Sequence, residues 1–431
     1  MSGPLTDCRL LFRFHRHSRY SIAALVGAVE TDPRLSALQI ELLSESGSHI
    51  LRHGDPDERV IAAFSVMSTQ VDRVIAEARA IRNEMQDRVI LVAGGPHATA
   101  RPRDLLDSCF DYVVIGEGEY AFPELLLRLI DDRNPLSIPG VVGKETETIP
   151  TPASLPRINL DEYPPFALEK NVLGPVEVTR GCAFRCKFCA TPFLTGGVVR
   201  HRSVECVAKW LRQAVERRGF RRTWFLSPNA LCYGGRGHGP ALGKLERLLD
   251  QVSRVGIEQV FFGTFPSEVR PDFVTRDSLE IMRQYVANES LQIGIQSGSD
   301  RVLDLVNRHH TVDQGLDAVR LALDFGFRPH VDMIFGLPGE GPQDLKRTLD
   351  ICHELVEMGA KLHGHVFMPL PGSEFENSLP MALDSETRQE LGELTRKGHM
   401  TGAWANQEIL GKSMARARND AEGSMPKTDM W

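Results

Sequence analysis

The sequence predicts an α/β protein in two parts: an N-terminal open parallel sheet wrapped by helices, then a six-stranded partial (β/α)6 barrel of the TIM type. Three observations predict this. Strand-length apolar runs alternate with helix-length segments over residues 8–131, and a second such series runs from 176 to 371. A polar, Pro-rich stretch without sustained period, 132–172, separates the two series. The 431 residues, 42% hydrophobic and 25% charged, suffice for two or three domains with sizeable cores.

The elements follow in order. CRLLFRF (8–14) reads as a strand, and SIAALVGAVE (21–30) as a helix opened by a Ser of N-cap type. LQIELL (38–43) and RVIAAFSV (59–66) are strands, and a polar helix spans about 71–86. RVILVAGG (88–95) and DYVVIGEGE (111–119) are nearly continuous apolar runs ending in Gly, as buried parallel strands are. The helix EYAFPELLLRLID (119–131) closes this part. The second series offers strands VEVTRG (176–181), TWFLSP (223–228), QVFFGTFP (259–266), SLQIGIQSG (290–298), PHVDMIFGLP (329–338) and LHGHVFMPLP (362–371), with helices between them. The domain expectation is therefore 1–135, a linker over 136–172, the barrel over 173–375, and C-terminal helices with a polar, disordered tail from about 412 within 376–431.

Bulk properties narrow the function. The formal charge of −7 and the lack of a Lys/Arg run disfavour a nucleic-acid partner. No stretch reaches the roughly 18 consecutive apolar residues of a membrane helix. The N-terminus scatters charge through its apolar residues, unlike a secretory signal, so a cytoplasmic location with reduced thiols is expected. Three of eight cysteines fall within eight positions, which in a reducing compartment points to metal or catalysis.

These three are Cys182, Cys186 and Cys189, spaced C-x3-C-x2-C in the loop after the first barrel strand. Chemistry in such barrels sits on those loops. Three thiolates on one short loop can hold three irons of a [4Fe–4S] cubane and leave the fourth iron open. The competing reading is a zinc site completed by a distant His, but structural zinc prefers paired C-x2-C knuckles and no second knuckle is present.

The triplet, its aromatic Phe188 and its place after the first strand resemble the radical S-adenosylmethionine superfamily. The resemblance implies that S-adenosylmethionine chelates the open iron and is cleaved to a 5′-deoxyadenosyl radical, with a flavodoxin- or ferredoxin-type electron donor. It also directs attention to the other strand ends. Ser267, Glu268 and Arg270 follow strand three, and a carboxylate with a guanidinium could pair the two ends of the methionine moiety. For Glu268 a surface ion pair is nearly as good a reading. GIQSGSD (294–300) resembles a family segment in which Gln296 stands where Glu is usual, with Ser297 beside it, facing the ribose. Asn307-Arg308-His309-His310 also resembles the family. Gly336 and Gly339 of FGLPGE permit close backbone approach to an adenine. Cys232 and Tyr233, after strand two, are candidates for substrate contact, with simple packing the stronger reading for the thiol.

The first part lacks G-x-G-x-x-G at its first turn, which disfavours NAD or FAD. Ser65, Thr69 and Gln70, Gly94, Gly95 and His97, and Gly116, Glu117 and Gly118 sit instead at later strand ends. They resemble the Rossmann-like cobalamin-binding domain fused to one class of radical S-adenosylmethionine enzymes. The cobalt-ligating D-x-H-x-x-G motif is absent, and His97 is better read as a turn histidine. The expected function is a cobalamin-dependent radical C-methyltransferase acting on an unactivated carbon of a small molecule or peptide. The alternatives are a rearrangement or cyclisation without methyl transfer from cobalamin, and a methylthiotransferase or other tRNA-modifying enzyme. The last is disfavoured because only Cys8 and Cys109 precede the triplet.

Overall fold

A computed structural model describes residues 8–15, 17–44 and 59–423. The chain divides into two compact units: residues up to Val176 with Phe193–Gly196 and Glu205–Phe220, and the remainder.

The first unit is built on a six-stranded sheet. Its strands are β1 (Cys8–Arg13), β2 (Gln39–Leu43), β3 (Arg59–Ser65), β4 (Val89–Gly94), β5 (Tyr112–Val114) and β6 (Val141–Gly143), in spatial order β2-β1-β3-β4-β5-β6. All pair in parallel except β6, which runs antiparallel to β5. The parallel strands are apolar on both faces because helices cover both, and Leu11, Ala62, Phe64, Leu91, Phe110 and Val113 lie together in the core. The helix expected from Ser21 begins two residues earlier and spans Arg19–Glu30; the Ser21 hydroxyl instead meets Ser65 Oγ at 2.8 Å.

The stretch expected as a linker is structured. It supplies β6, and Leu160, Phe166, Ala167 and Leu168 are buried. Its apolar residues lie between polar ones without a regular period, so periodicity could not reveal them. Gly27 marks one contact: a Cβ there would sit 2.6 Å from the Phe166 carbonyl oxygen and 2.9 Å from Pro164 Cγ. Gly27→Ala should therefore cost about 1–3 kcal/mol by overpacking. The check is a fall in thermal midpoint relative to an exposed helix substitution such as Arg73→Ala.

The remaining strands are β7 (Val176–Glu177), where the first unit ends and the second begins, and in the second unit β8 (Thr179–Arg180), β9 (Arg200–His201), β10 (Arg222–Leu226), β11 (Gln259–Phe261), β12 (Ser290–Gln296), β13 (Arg328–Phe335), β14 (Lys361–Val366) and β15 (Met400–Thr401). One sheet runs β11-β10-β7 and another β12-β13-β14-β15, all parallel where paired. A bridge between Val269 and Ile293 and a bond from Gln292 N to Gly263 O join the two, giving the expected partial barrel. Leu291, Ile293 and Ile295 are fully buried, and Ile295 packs on Gly315 of the covering helix Val312–Asp324. Their alternates Gln292, Gly294 and Gln296 therefore face the lumen. On β14, Lys361, His363 and His365 are partly exposed while Leu362, Gly364 and Val366 are buried.

The polar tail expected from about 412 is helical as far as Gly423, within a helix starting at Trp404. Glu408 explains this. It pairs with Arg388 at 2.7 Å and with Lys412 at 2.7 Å, tying the helix down before the polar run. Residues 424–431 lie outside the described residues.

Candidate functional site

Strand β8 feeds the cysteine loop through Gly181, whose φ of +90° turns the chain where a side chain would be strained. Cys186 is buried, and Cys182 and Cys189 are half-buried. Burial pushes the thiols of Cys182 and Cys189 up. Cys189 Sγ accepts from the Thr191 backbone N–H at 3.5 Å. Phe188 packs among Val302, Val306, Leu337 and Phe367, which orients the last turn.

The segment after the helix Asp300–Leu305 clasps this loop. Lys187 N donates to Val306 O at 3.0 Å, and Asn307 Nδ2 donates to Phe184 O and Arg185 O, both at 3.1 Å. Arg308, 7% exposed, donates Nη1 to Cys186 Sγ at 3.7 Å and Nη2 to Gly294 O at 2.7 Å. Arg270 lies over the Phe184 ring, its Cζ 3.6 Å from the centroid, and pairs with Asp272 at 3.0 Å. Arg270 Nη1 and Asn229 Nδ2 are buried donors without partners. Buried donors are normally satisfied, so these two fit an anionic ligand beside the loop.

The remaining barrel candidates divide. Glu268 accepts from Gln296 Nε2 at 3.3 Å, and its carboxyl is pushed up by burial and then by the nearby Asp332 charge. Gln296 has φ +78° at a register shift in β12, a non-glycine residue in the left-handed region. That bend turns its amide toward Glu268. Ser267 is held by the Phe225 carbonyl at 2.6 Å. Ser297 is fully buried against Thr348 at 3.3 Å. Gly336 and Gly339 have φ of +74° and +79°, in a loop that Glu340 ties by accepting from Gly336 N at 2.7 Å. Cys232 is buried, and the Tyr233 hydroxyl donates to Arg202 O at 2.8 Å, so both face inward.

Sequence reasoning missed Asp332, His363 and His365, whose ligand atoms lie within 4.8 Å of one another. Asp332 Oδ1 accepts from Gln292 Nε2 at 2.7 Å, faces His363 Nδ1 at 2.8 Å, and lies 3.5 Å from His365 Nε2. Gln407 uses Oε1 to accept from Val366 N at 3.0 Å. Its amide nitrogen therefore points at His365 Nδ1, 3.2 Å away, which places the His365 proton on Nε2, toward Asp332. Burial alone would raise the Asp332 carboxyl, but these N–H groups outweigh it and hold it down. The bond to Asp332 raises His363 against its burial. His363 Nε2 is left with no partner among the described residues, on a side chain 32% exposed. The readable signal was H-G-H in a strand, which puts both rings on one face.

In the first unit the candidates line the ends of β3, β4 and β5. Gly95 has φ +94°, and a Cβ there would stand 2.9 Å from Ser65 Oγ and Val66 N. A Cβ on Gly94 would meet the Val114 carbonyl oxygen at an ordinary 3.8 Å, and Gly116, φ +79°, accepts no bulk cheaply; its N donates to Thr99 Oγ1 at 3.0 Å. Thr69 is exposed and Gln70 half-buried in a short turn. Glu117 accepts from Ile158 N at 2.9 Å, and Gly118 lies against Leu25. His97 is 4% exposed, with Nδ1 3.1 Å from Ser68 Oγ and Nε2 3.3 Å from Asp104. Nδ1 is thus hydrogen-bonded, while the buried Nε2 lies beside Asp104 without a hydrogen bond.

Comparison with known proteins decides the family. The profile of the radical SAM superfamily matches residues 176–352, and that of the B12 binding domain matches 49–126. The chain is a radical S-adenosylmethionine enzyme with a B12-binding domain. This radical S-adenosylmethionine enzyme is 27% identical over 334 residues to an uncharacterized methyltransferase of Pyrococcus horikoshii, covering 74% of this chain and 69% of that one. It is 26% identical over 378 residues to a tRNA-2-methylthio-N(6)-dimethylallyladenosine synthase of Clostridium beijerinckii, covering 83% and 76%. It spans from 48% to 76% of the length of the curated relatives it matches. In fold it is similar to the radical S-adenosylmethionine methyltransferase TsrM of Kitasatospora setae, with TM-score 0.65 and 15% identity, covering 87% of this chain and 74% of TsrM. Among the described residues of the enzyme, no helix is long and apolar enough to cross a membrane.

Proposed function

We propose that this enzyme is a cobalamin-dependent radical C-methyltransferase acting on an unactivated carbon of a small molecule or peptide. The observation that carries the reading is the joining, in one chain, of a cluster-type cysteine loop on a barrel to a B12-binding domain. Bound together, the cluster with S-adenosylmethionine would supply a hydrogen-abstracting radical and cobalamin a methyl group. The protein's own residues bind, orient and shield. Cys182, Cys186 and Cys189 would ligate three irons, while Arg270 Nη1 and Asn229 Nδ2 would take the methionine carboxylate. Glu268 and Gln296 face the lumen below, and the glycine-lined edge of the first unit would receive the corrin's tail. His363, steadied by Asp332, offers the substrate an open acceptor at Nε2. A flavodoxin- or ferredoxin-type protein would deliver the electron.

A methylthiotransferase reading has the Clostridium relative in its favour. The two cysteines before the triplet, Cys8 and Cys109, are buried in the first unit and form no three-thiolate set.

The test is anaerobic reconstitution with iron, sulfide and hydroxocobalamin. A retained corrin chromophore, 5′-deoxyadenosine released with reductant and S-adenosylmethionine, and a product one CH2 heavier from a substrate panel are expected. Release of S-adenosylhomocysteine as the sole S-adenosylmethionine product, with a methylated substrate, would rule out the radical step. Loss of all corrin on gel filtration would rule out the cobalamin assignment.

A further inference from the structure

Four side chains meet where the cysteine loop faces the barrel lumen, and glycine makes room for them. A Cβ on Gly294 would stand 2.6 Å from both Arg308 Nη2 and Glu268 Oε1, and would also clash with Gln296 Nε2. Only a bare Cα at this point of β12 lets a buried guanidinium reach across to the loop. The Gly294 carbonyl then fixes that guanidinium through Nη2, which leaves Nη1 aimed at Cys186 Sγ. The backbone is bent to the same end. Asn307 and His309, on either side of Arg308, have φ of +59° and +61°, conformations that cost energy in non-glycine residues. Asn307 and Val306 lock the segment onto the loop at Phe184, Arg185 and Lys187.

We infer that Arg308 is a positioning residue that sets the reduction potential of the cluster by donating a charged hydrogen bond to the Cys186 sulfur. The inference rests on the cluster reading above. The physical reason is one of sign. The cluster gains negative charge on reduction, and a fixed cation with an N–H on a ligating sulfur stabilises the reduced form more than the oxidised one. Arginine does this without losing its proton when buried. The bond costs little reorganisation, because Gly294 O holds the guanidinium in place already. Glu268, on the lumen side of the same guanidinium, would reduce the effect, so removing its charge should act in the opposite direction.

The test is an EPR-monitored redox titration of the reconstituted holoprotein without S-adenosylmethionine. Arg308→Met should lower the midpoint so that the reduced fraction at fixed potential falls about tenfold, about 59 mV for a one-electron couple. Arg308→Lys, which keeps the charge but not the fork, should fall between. Glu268→Gln should raise the midpoint. A midpoint unchanged or raised in both Arg308 variants overturns the inference. Should those variants fail to assemble a cluster, wild-type protein labelled with 15N-arginine supplies a second measurement. Pulsed EPR of its reduced cluster should show a nitrogen coupling, and its absence overturns the inference equally. A wild type that assembles no cluster at all would instead defeat the cluster reading, so the two failures are distinguishable.

Discussion

Replacing Cys186 with alanine is expected to reduce 5′-deoxyadenosine formation to background while leaving the fold intact. The loop does not depend on the thiol for its shape. Gly181 turns it, Asn307 and Lys187 anchor its backbone, and Phe188 seats its end in an apolar cluster. Far-ultraviolet circular dichroism of the variant should therefore match the wild type. The cluster does depend on the thiol, because two remaining thiolates cannot hold a cubane that needs three. Iron and sulfide content should fall with the activity, and the triple Cys182→Ala, Cys186→Ala, Cys189→Ala variant should lose all iron–sulfur absorbance. A Cys186→Ala protein that kept full iron content and activity would remove this loop from the chemistry.

Glu340→Gln is expected to make the protein's stability much less dependent on pH between 5 and 8. Glu340 is 4% exposed, accepts from Gly336 N and Leu337 N, and its Oε1 is buried without a partner. Burial, opposed by those two N–H groups, pushes its carboxyl up to about 7 from 4.5. The folded state therefore holds this proton more tightly than the unfolded state. Stability is fully present below about pH 4.5 and is lost as pH rises through about 7, some 3 kcal/mol over that window at about 1.4 kcal/mol per unit. A glutamine keeps an oxygen for the two backbone N–H groups and carries no charge to bury. Urea midpoints at pH 5 and pH 8 should differ clearly for the wild type and little for the variant. Equal pH dependence in both would show that a group other than Glu340 carries it.

The parts of the site legible in the sequence are those written in contiguous residues. The cysteine spacing carried the cluster, because ligands on one loop must be near one another whatever the rest of the chain does. The apolar runs carried the strands β1 to β5, β7, β8 and β10 to β14, since a parallel strand buried on both faces has few polar positions, but not β6 or β9, and not the spatial order of the sheet. Strand-end residues were harder. Ser267, Ser297 and Tyr233 occupy the expected places, yet their hydroxyls bond Phe225, Thr348 and Arg202. Position along a strand says which end a residue is near, and side-chain direction is settled by packing. The stretch 136–172 and the helix through residue 423 misread for the same reason: their order comes from contacts with distant residues, not from local period.

By itself the sequence determined the two-part α/β architecture, the place of the three cysteines after the first barrel strand, and the glycine-rich ends of β4 and β5. Each follows from local spacing, which the covalent chain preserves in any fold. The tertiary structure alone decided that Arg308, 122 positions beyond Cys186, meets its sulfur, and that Asp332 joins His363 and His365. Those meetings depend on the parallel register that sets Gly294 beside Asp332 and Asp332 beside His363. Register between strands separated by whole helices is fixed by the packing of the barrel, and a one-dimensional pattern does not contain it.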